Sequence, residues 1–269
     1  MFATDFEFDN KRLSDLGMMV MVFDKASDET ISSGADIIFN QVKTSGSDIF
    51  NLYSSKYEEV FKATFQIGKN PCLCKTQDDM YLSPTEVSGL QRWLCQKRYC
   101  KFKVAQRGYE NIYWNATFSS KQIMLNGMII GLELSLFTNA PYAFQEEVTI
   151  KKILQKNEGF TLHDLSDEVG EIMPFIEVEF LETGDSWILE NSMDINITEV
   201  KNVSANEVIT FDGKNQIISS SFLEHKIADD FNYHFPIIGN TYDTNINEYV
   251  SNLDCKITIK YSPIIKVGL

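Results

Sequence analysis

The chain has 269 residues, of which 43% are hydrophobic and 12% aromatic, and a formal net charge of −14. That length suffices for two domains with real cores and the composition excludes disorder, while the charge excludes nucleic acid and anionic membrane as sequence-wide partners. No apolar run approaches the ~20 residues of a membrane helix, and the acidic N-terminus MFATDFEFDN lacks the order of a signal peptide, so the sequence predicts folding in a cytosol.

In chain order, Phe2, Phe6 and Phe8 share one face of a short first strand by period two, and Asp9-Asn10-Lys11 turns the chain. A second strand is expected over Met18 to Phe23. Residues 24–50 are polar and carry the turn clusters Ser32-Ser33-Gly34 and Ser45-Gly46-Ser47, which fits a loop or a projecting arm. Phe61, Ala63, Phe65 and Ile67 alternate in another strand. Ser83-Pro84-Thr85-Glu86 is a capping box with proline at the first helical position, and Val87, Leu90 and Leu94 follow at helical spacing. The spacing predicts a helix over about 84–97. Strands follow at 102–104 and 112–118, then a hairpin of 121–125 with 129–137 joined at Asn126-Gly127.

A seam lies at residues 131–144, GLELSLFTNAPYAF, where an alternating strand is stopped by Asn139-Ala140-Pro141. Before it, residues 1–145 carry 15 basic against 16 acidic side chains, a net of −1; after it, residues 146–269 carry 9 against 22, a net of −13. The reading is therefore two domains, 1–145 and 146–269, of different electrostatic character. In the second, Ile176, Val178 and Phe180 alternate, Trp187-Ile188-Leu189 resumes after a turn, Ile195 and Ile197 alternate, and 208–211 pairs with 216–218 across Asp212-Gly213-Lys214-Asn215. The cleanest strand runs from Leu253 to Tyr261. It either closes the second domain or returns to the first. Short strands, frequent turns and one helix define a mainly β fold of two β-sandwich domains, the first with a single α-helix.

The sequence contains no G-x-S-x-G, phosphate-cradling glycine loop, H-E-x-x-H or EF-hand pattern, and the expectation is a non-enzyme with no cofactor and no metal. Cys72-x-Cys74 and Cys95-x4-Cys100 differ from structural zinc spacing and read as free, mostly buried thiols, with Cys255 the fifth. His225 and His234 flank Asp229-Asp230, which reads as a solvated acidic turn or, alternatively, a metal or acid–base cluster. Arg92, Lys97, Arg98, Lys101, Lys103 and Arg107 form a basic stripe free of acids, either a solvated face or a contact with acidic groups of a partner subunit. Trp187 reads as core or, alternatively, as a platform stacked on a sugar ring.

Several segments, in order, are similar to the distal tail proteins of siphophages: FEFDNKRLSDLG at 6–17, RWL at 92–94, GLELSLFTNAPYAF at 131–144, VITFDGKNQII at 208–218, HKIADDFNYHFP at 225–236 and YSPIIKVG at 261–268. The resemblance implies an N-terminal sandwich that assembles as a hexameric ring and a galectin-like C-terminal sandwich. It also implies a hub that joins the tail tube protein to the tail-tip hub protein and carries receptor-binding proteins, sited at the virion tail tip and assembled in the bacterial host cytoplasm. On that basis Phe2, Phe6, Phe8 and the 24–50 arm are candidate subunit contacts, and the charge of the basic stripe adds Arg92, Lys97, Arg98 and Lys101. The alternative is a carbohydrate-binding adhesin acting on cell-wall glycans, with Trp187 as its contact; a cell-wall hydrolase is a third, weaker reading.

Overall fold

The computed structural model describes residues 3–21, 34–46 and 48–269. The chain divides into two units, residues 1–145 with 265–269, and residues 146–264. Phe2 and, within the polar 24–50 stretch, residues 24–33 and 47 fall outside the described residues, as do the last two positions of the expected Met18–Phe23 strand.

The first unit contains β1 (Phe6–Phe8), β2 (Lys11–Arg12), β3 (Met18–Met21), β4 (Ile37–Lys43), β5 (Phe50–Tyr57), β6 (Lys62–Lys69), α1 (Pro84–Leu94), β7 (Cys100–Val104), β8 (Ile112–Leu125), β9 (Met128–Thr138) and β10 (Ala143–Gln145). One antiparallel sheet runs β2-β1-β7-β8-β9-β6-β3, with β10 continuing on β8. Period-two alternation sends Phe6, Phe8, Phe65, Ile67, Phe102, Val104, Trp114, Phe118, Leu132, Leu134 and Leu136 to its inner face, all buried. The sheet rolls over on itself. Phe6 on β1 meets Phe65 on β6 at 5.7 Å between ring centroids, although three strands separate β1 from β6 along the sheet. Each such side chain contributes about 1.5–3 kcal/mol on burial. The final residues return here: Ile265, Val267 and Leu269 pack on this core, and the Tyr109 hydroxyl donates to the Gly268 carbonyl at 3.1 Å.

Helix α1 forms where its capping box predicts. The Glu86 N–H donates to Ser83 Oγ at 3.3 Å, and the Ser83 N–H donates to the Glu86 carboxylate at 2.7 Å. Val87, Leu90 and Leu94 are its buried stripe. The helix ends at Leu94, three residues short of the expected 97. The Cys95 N–H still closes onto the Gln91 carbonyl, and the chain then bends so that the Gln96 amide can donate to the Trp93 carbonyl at 3.0 Å. The Asn126-Gly127 hairpin also forms, with both residues at positive φ (49° and 82°), the geometry a tight two-residue turn requires.

The second unit contains β11 (Val148–Leu154), β12 (Glu158–His163), β13 (Gly170–Ile172), β14 (Phe175–Phe180), β15 (Gly184–Asn191), β16 (Thr198–Val203), β17 (Val208–Asp212), β18 (Ile217–Ser220), the single-turn helix α2 (Ile227–Asp230), β19 (Ile238–Asn240), β20 (Ile246–Ser251) and β21 (Cys255–Tyr261). It is a sandwich of two antiparallel sheets, β11-β21-β14-β17-β18 and β12-β20-β15-β16, with β13 and β19 paired separately. The clean alternation from Leu253 to Tyr261 places β21 inside the five-stranded sheet, paired on both sides by β11 and β14. Ile195 and Ile197 do not form the expected strand. Ile195 is fully exposed in a turn where the Asn196 N–H donates to the Asp194 carboxylate at 2.9 Å, and β16 begins only at Thr198.

Candidate assembly surface

The expected aromatic contact edge is core. Phe6 and Phe8 have no exposed surface; they pack with Trp93, Phe102 and Phe118, and the Trp93 indole N–H donates to the Phe8 carbonyl at 3.0 Å. The two alternating phenylalanines were legible as one face of a strand, but that face turns inward because the sheet closes over it.

Trp187 is likewise no sugar platform. It is fully buried between the two sheets of the second unit, 5.5 Å from Phe180 and 5.8 Å from Phe211, with its indole N–H donating to Ser251 Oγ at 3.0 Å. The glycan-adhesin reading loses the side chain it relied on.

The basic stripe divides in three dimensions. Arg92, in the last turn of α1, and Lys97 are exposed. Arg98 is paired with Asp9 at 3.0 Å and donates to the Gln96 amide oxygen at 2.8 Å. Asp9 sits at the β1–β2 turn, so an acid distant in sequence joins a stretch that contains none. The Lys101 ammonium lies 4.3 Å over the Tyr113 ring. Arg12, Lys103 and Arg107 line a cleft of about 540 Å³, together with Glu7 and Glu110, so its charge is mixed.

The 24–50 arm, a candidate contact from the sequence, carries the more telling surface. Among the described residues, strands β4 and β5 form a two-stranded sheet that joins no other sheet. Their register pairs Ile37 with Tyr57, Phe39 with Ser55, Gln41 with Leu52 and Lys43 with Phe50, with a bulge after Asn40. Ile37, Phe39, Leu52 and Phe50 therefore share one face, and they are 42%, 57%, 58% and 60% exposed. That face also carries Gln41, Lys43 and Ser55; the opposite face carries Ile38, Asn40, Val42, Asn51, Ser54 and Lys56, with an Asn40–Ser54 hydrogen bond of 2.9 Å. The hairpin is tied at its base, where the Glu58 N–H donates to the Asp36 carbonyl at 2.9 Å and Tyr57 packs edge-on to Tyr142. The signal in the sequence was the alternation Ile37, Phe39 and Phe50, Leu52, obscured by the serine clusters around it.

The histidines do not converge. His225 Nδ1 lies 2.5 Å from Glu207, which is fully buried and also accepts from the Ser220 hydroxyl and the Ser204 N–H. His225 Nε2 lies 3.2 Å from Asp230. His234 pairs separately with Asp194 at 2.6 Å. Among the described residues no group of three or more His, Cys, Asp or Glu side chains is placed to hold a metal. The cysteines are free: Cys100 and Cys255 are buried, which pushes both thiols above their ordinary range, whereas Cys72 is exposed. No helix among the described residues is long and apolar enough to cross a membrane.

A mainly β chain of two units that, among the described residues, exposes an apolar strand face outside both cores has the character of an assembly component. The chain belongs to the phage tail proteins: it matches the phage tail protein N-terminal domain over residues 1–140 and the phage tail C-terminal domain over residues 142–261. Its fold is that of a distal tail protein. The crystal structure of the Dit protein of phage SPP1, described as a paradigm of hub adsorption apparatus in phages infecting Gram-positive hosts, superimposes with a TM-score of 0.67 at 9% identity, over 96% of this chain and 98% of that one. No curated protein is detectably similar to the chain in sequence.

Proposed function

We propose that this chain is a structural hub of the phage tail tip that closes into a hexameric ring through its first unit, joins the tail tube to the tail-tip and adsorption proteins, and performs no covalent chemistry. The observation that carries the reading is the β4–β5 hairpin. An isolated two-stranded hairpin is marginal in water, and one that exposes Ile37, Phe39, Phe50 and Leu52 on one face gains stability when a partner covers that face. Arg92 and Lys97 add an exposed basic patch able to steer a partner's acidic groups. The acidic second unit suits an outward, solvated position and contact with other tail proteins; residues 146–269 carry a net −13. The expected site is the virion tail tip, with assembly in the host cytoplasm. Solution mass and negative-stain imaging test the reading. Six copies with a central hole are the expected result; a protein that stays monomeric at high concentration refutes it.

A further inference from the structure

A second apolar surface of the first unit lies at the far end of the β8–β9 hairpin. From Gln122 to Leu132 the sequence carries no charge. Met124, Leu125 and Met128 there are 53%, 50% and 48% exposed. The hairpin outruns its neighbours: β7 pairs with β8 only at residues 114–116, and β6 pairs with β9 only as far as Gly131. Among the described residues, the outer edge of β8 beyond Ala116 has no strand partner. Methionine suits such a surface because its unbranched side chain adapts to whatever shape covers it.

We propose that the apolar face of the β4–β5 hairpin of one copy seats on the β8–β9 tip of the next copy, so that every chain both gives and receives one such contact. The proposal rests on the ring reading above and names the surfaces that close it. A cyclic ring of more than two copies is built from heterologous contacts, in which two different patches of the same chain meet. The first unit presents two such patches. One is a flat strand face of Ile37, Phe39, Phe50 and Leu52; the other is a projecting, uncharged hairpin tip, with Leu125 and Met128 paired on one side and Met124 on the other. Pairing like with like would close at two copies and leave the other patch bare. Together the seven side chains expose on the order of 700 Å² of apolar surface, most of the ~1,000 Å² that a specific contact needs.

Disulfide trapping tests this in the full chain, with the exposed or half-buried Cys72 and Cys74 replaced by serine. Phe39→Cys and Leu125→Cys in one chain, oxidised, should give a covalent ladder ending at the closed ring on a non-reducing gel. A mixture of the two single variants should stop at dimers, and neither alone should cross-link. Both positions are exposed, so folding is not at risk, and Leu52→Glu or Met124→Glu should each weaken ring formation at least tenfold. Rings visible by negative stain without the ladder overturn the proposal and leave the ring reading standing. Efficient dimers from Phe39→Cys alone mean that the face meets its own copy, and also overturn it. Absence of any assembly overturns both.

Discussion

His225 joins residues that the chain keeps apart: the buried Glu207 carboxylate on one side of its ring and Asp230 on the other, with the Asn202 amide holding the second Asp230 oxygen at 2.9 Å. A carboxylate with no exposed surface survives only because Ser204, Ser220 and His225 satisfy it. Removing one partner is then costlier than removing all of them. His225→Ala should cost about 3–5 kcal/mol by urea unfolding, whereas Glu207→Leu with His225→Leu should recover most of the loss. Equal losses in both would show that the cluster contributes packing and not charge. The sequence offered only a histidine near an acidic pair; Glu207, the residue that gives His225 its role, lies 18 positions upstream and is brought in by the β17–β18 hairpin.

Helix α1 is the element read best from the sequence, because its start is set by contacts within four residues. Its cap also carries a pH signature. Burial works against ionisation of Glu86, but the Lys69 ammonium at 2.8 Å and the Ser83 N–H and hydroxyl outweigh it and hold the carboxyl below its ordinary range. A lowered folded-state pKa stabilises the protein above the unfolded value of about 4.3 and loses that contribution as pH falls through the folded value. Glu86→Gln should therefore lower the Tm by about 1–2 °C at pH 7 and by a vanishing amount near pH 2, because the pair is partly exposed. A difference that persists in acid would assign the effect to the amide substitution and not to charge. The β4–β5 hairpin is the counter-example among elements. Its strands alternate as strands should, yet their surroundings are polar and, among the described residues, Ile37, Phe39, Phe50 and Leu52 join neither core.

At the scale of the whole molecule, charge and apolar contact oppose one another. Copies carrying −14 each repel as they gather, while the proposed contacts are apolar and insensitive to screening. Raising sodium chloride from about 0.05 to 0.5 M should move the equilibrium toward the ring, since the screening length shrinks to a few ångströms. Dissociation by salt, read as the oligomer fraction in analytical ultracentrifugation, would instead place ion pairs such as those of Arg92 and Lys97 at the centre of the interface. The same balance suits a tail component whose second unit remains strongly acidic and solvated.

The sequence by itself determined what depends on neighbours close along the chain: the capped helix, the Asn126-Gly127 and 208–218 hairpins, the alternation of nearly every core strand, and the mainly β class. The order of matched segments, which fall in β1–β2, α1, β9, the β17–β18 hairpin and the α2 turn, also carried the resemblance to distal tail proteins. Only the tertiary structure decided which alternating face turned inward. Period two marks two faces without saying which is wet, so Phe6, Phe8 and Trp187 became core while Phe39, Phe50 and Leu52 stayed outside. It also decided which charges were paired, since Asp9 reaches Arg98 and Glu207 reaches His225 through sheet geometry that no local pattern encodes.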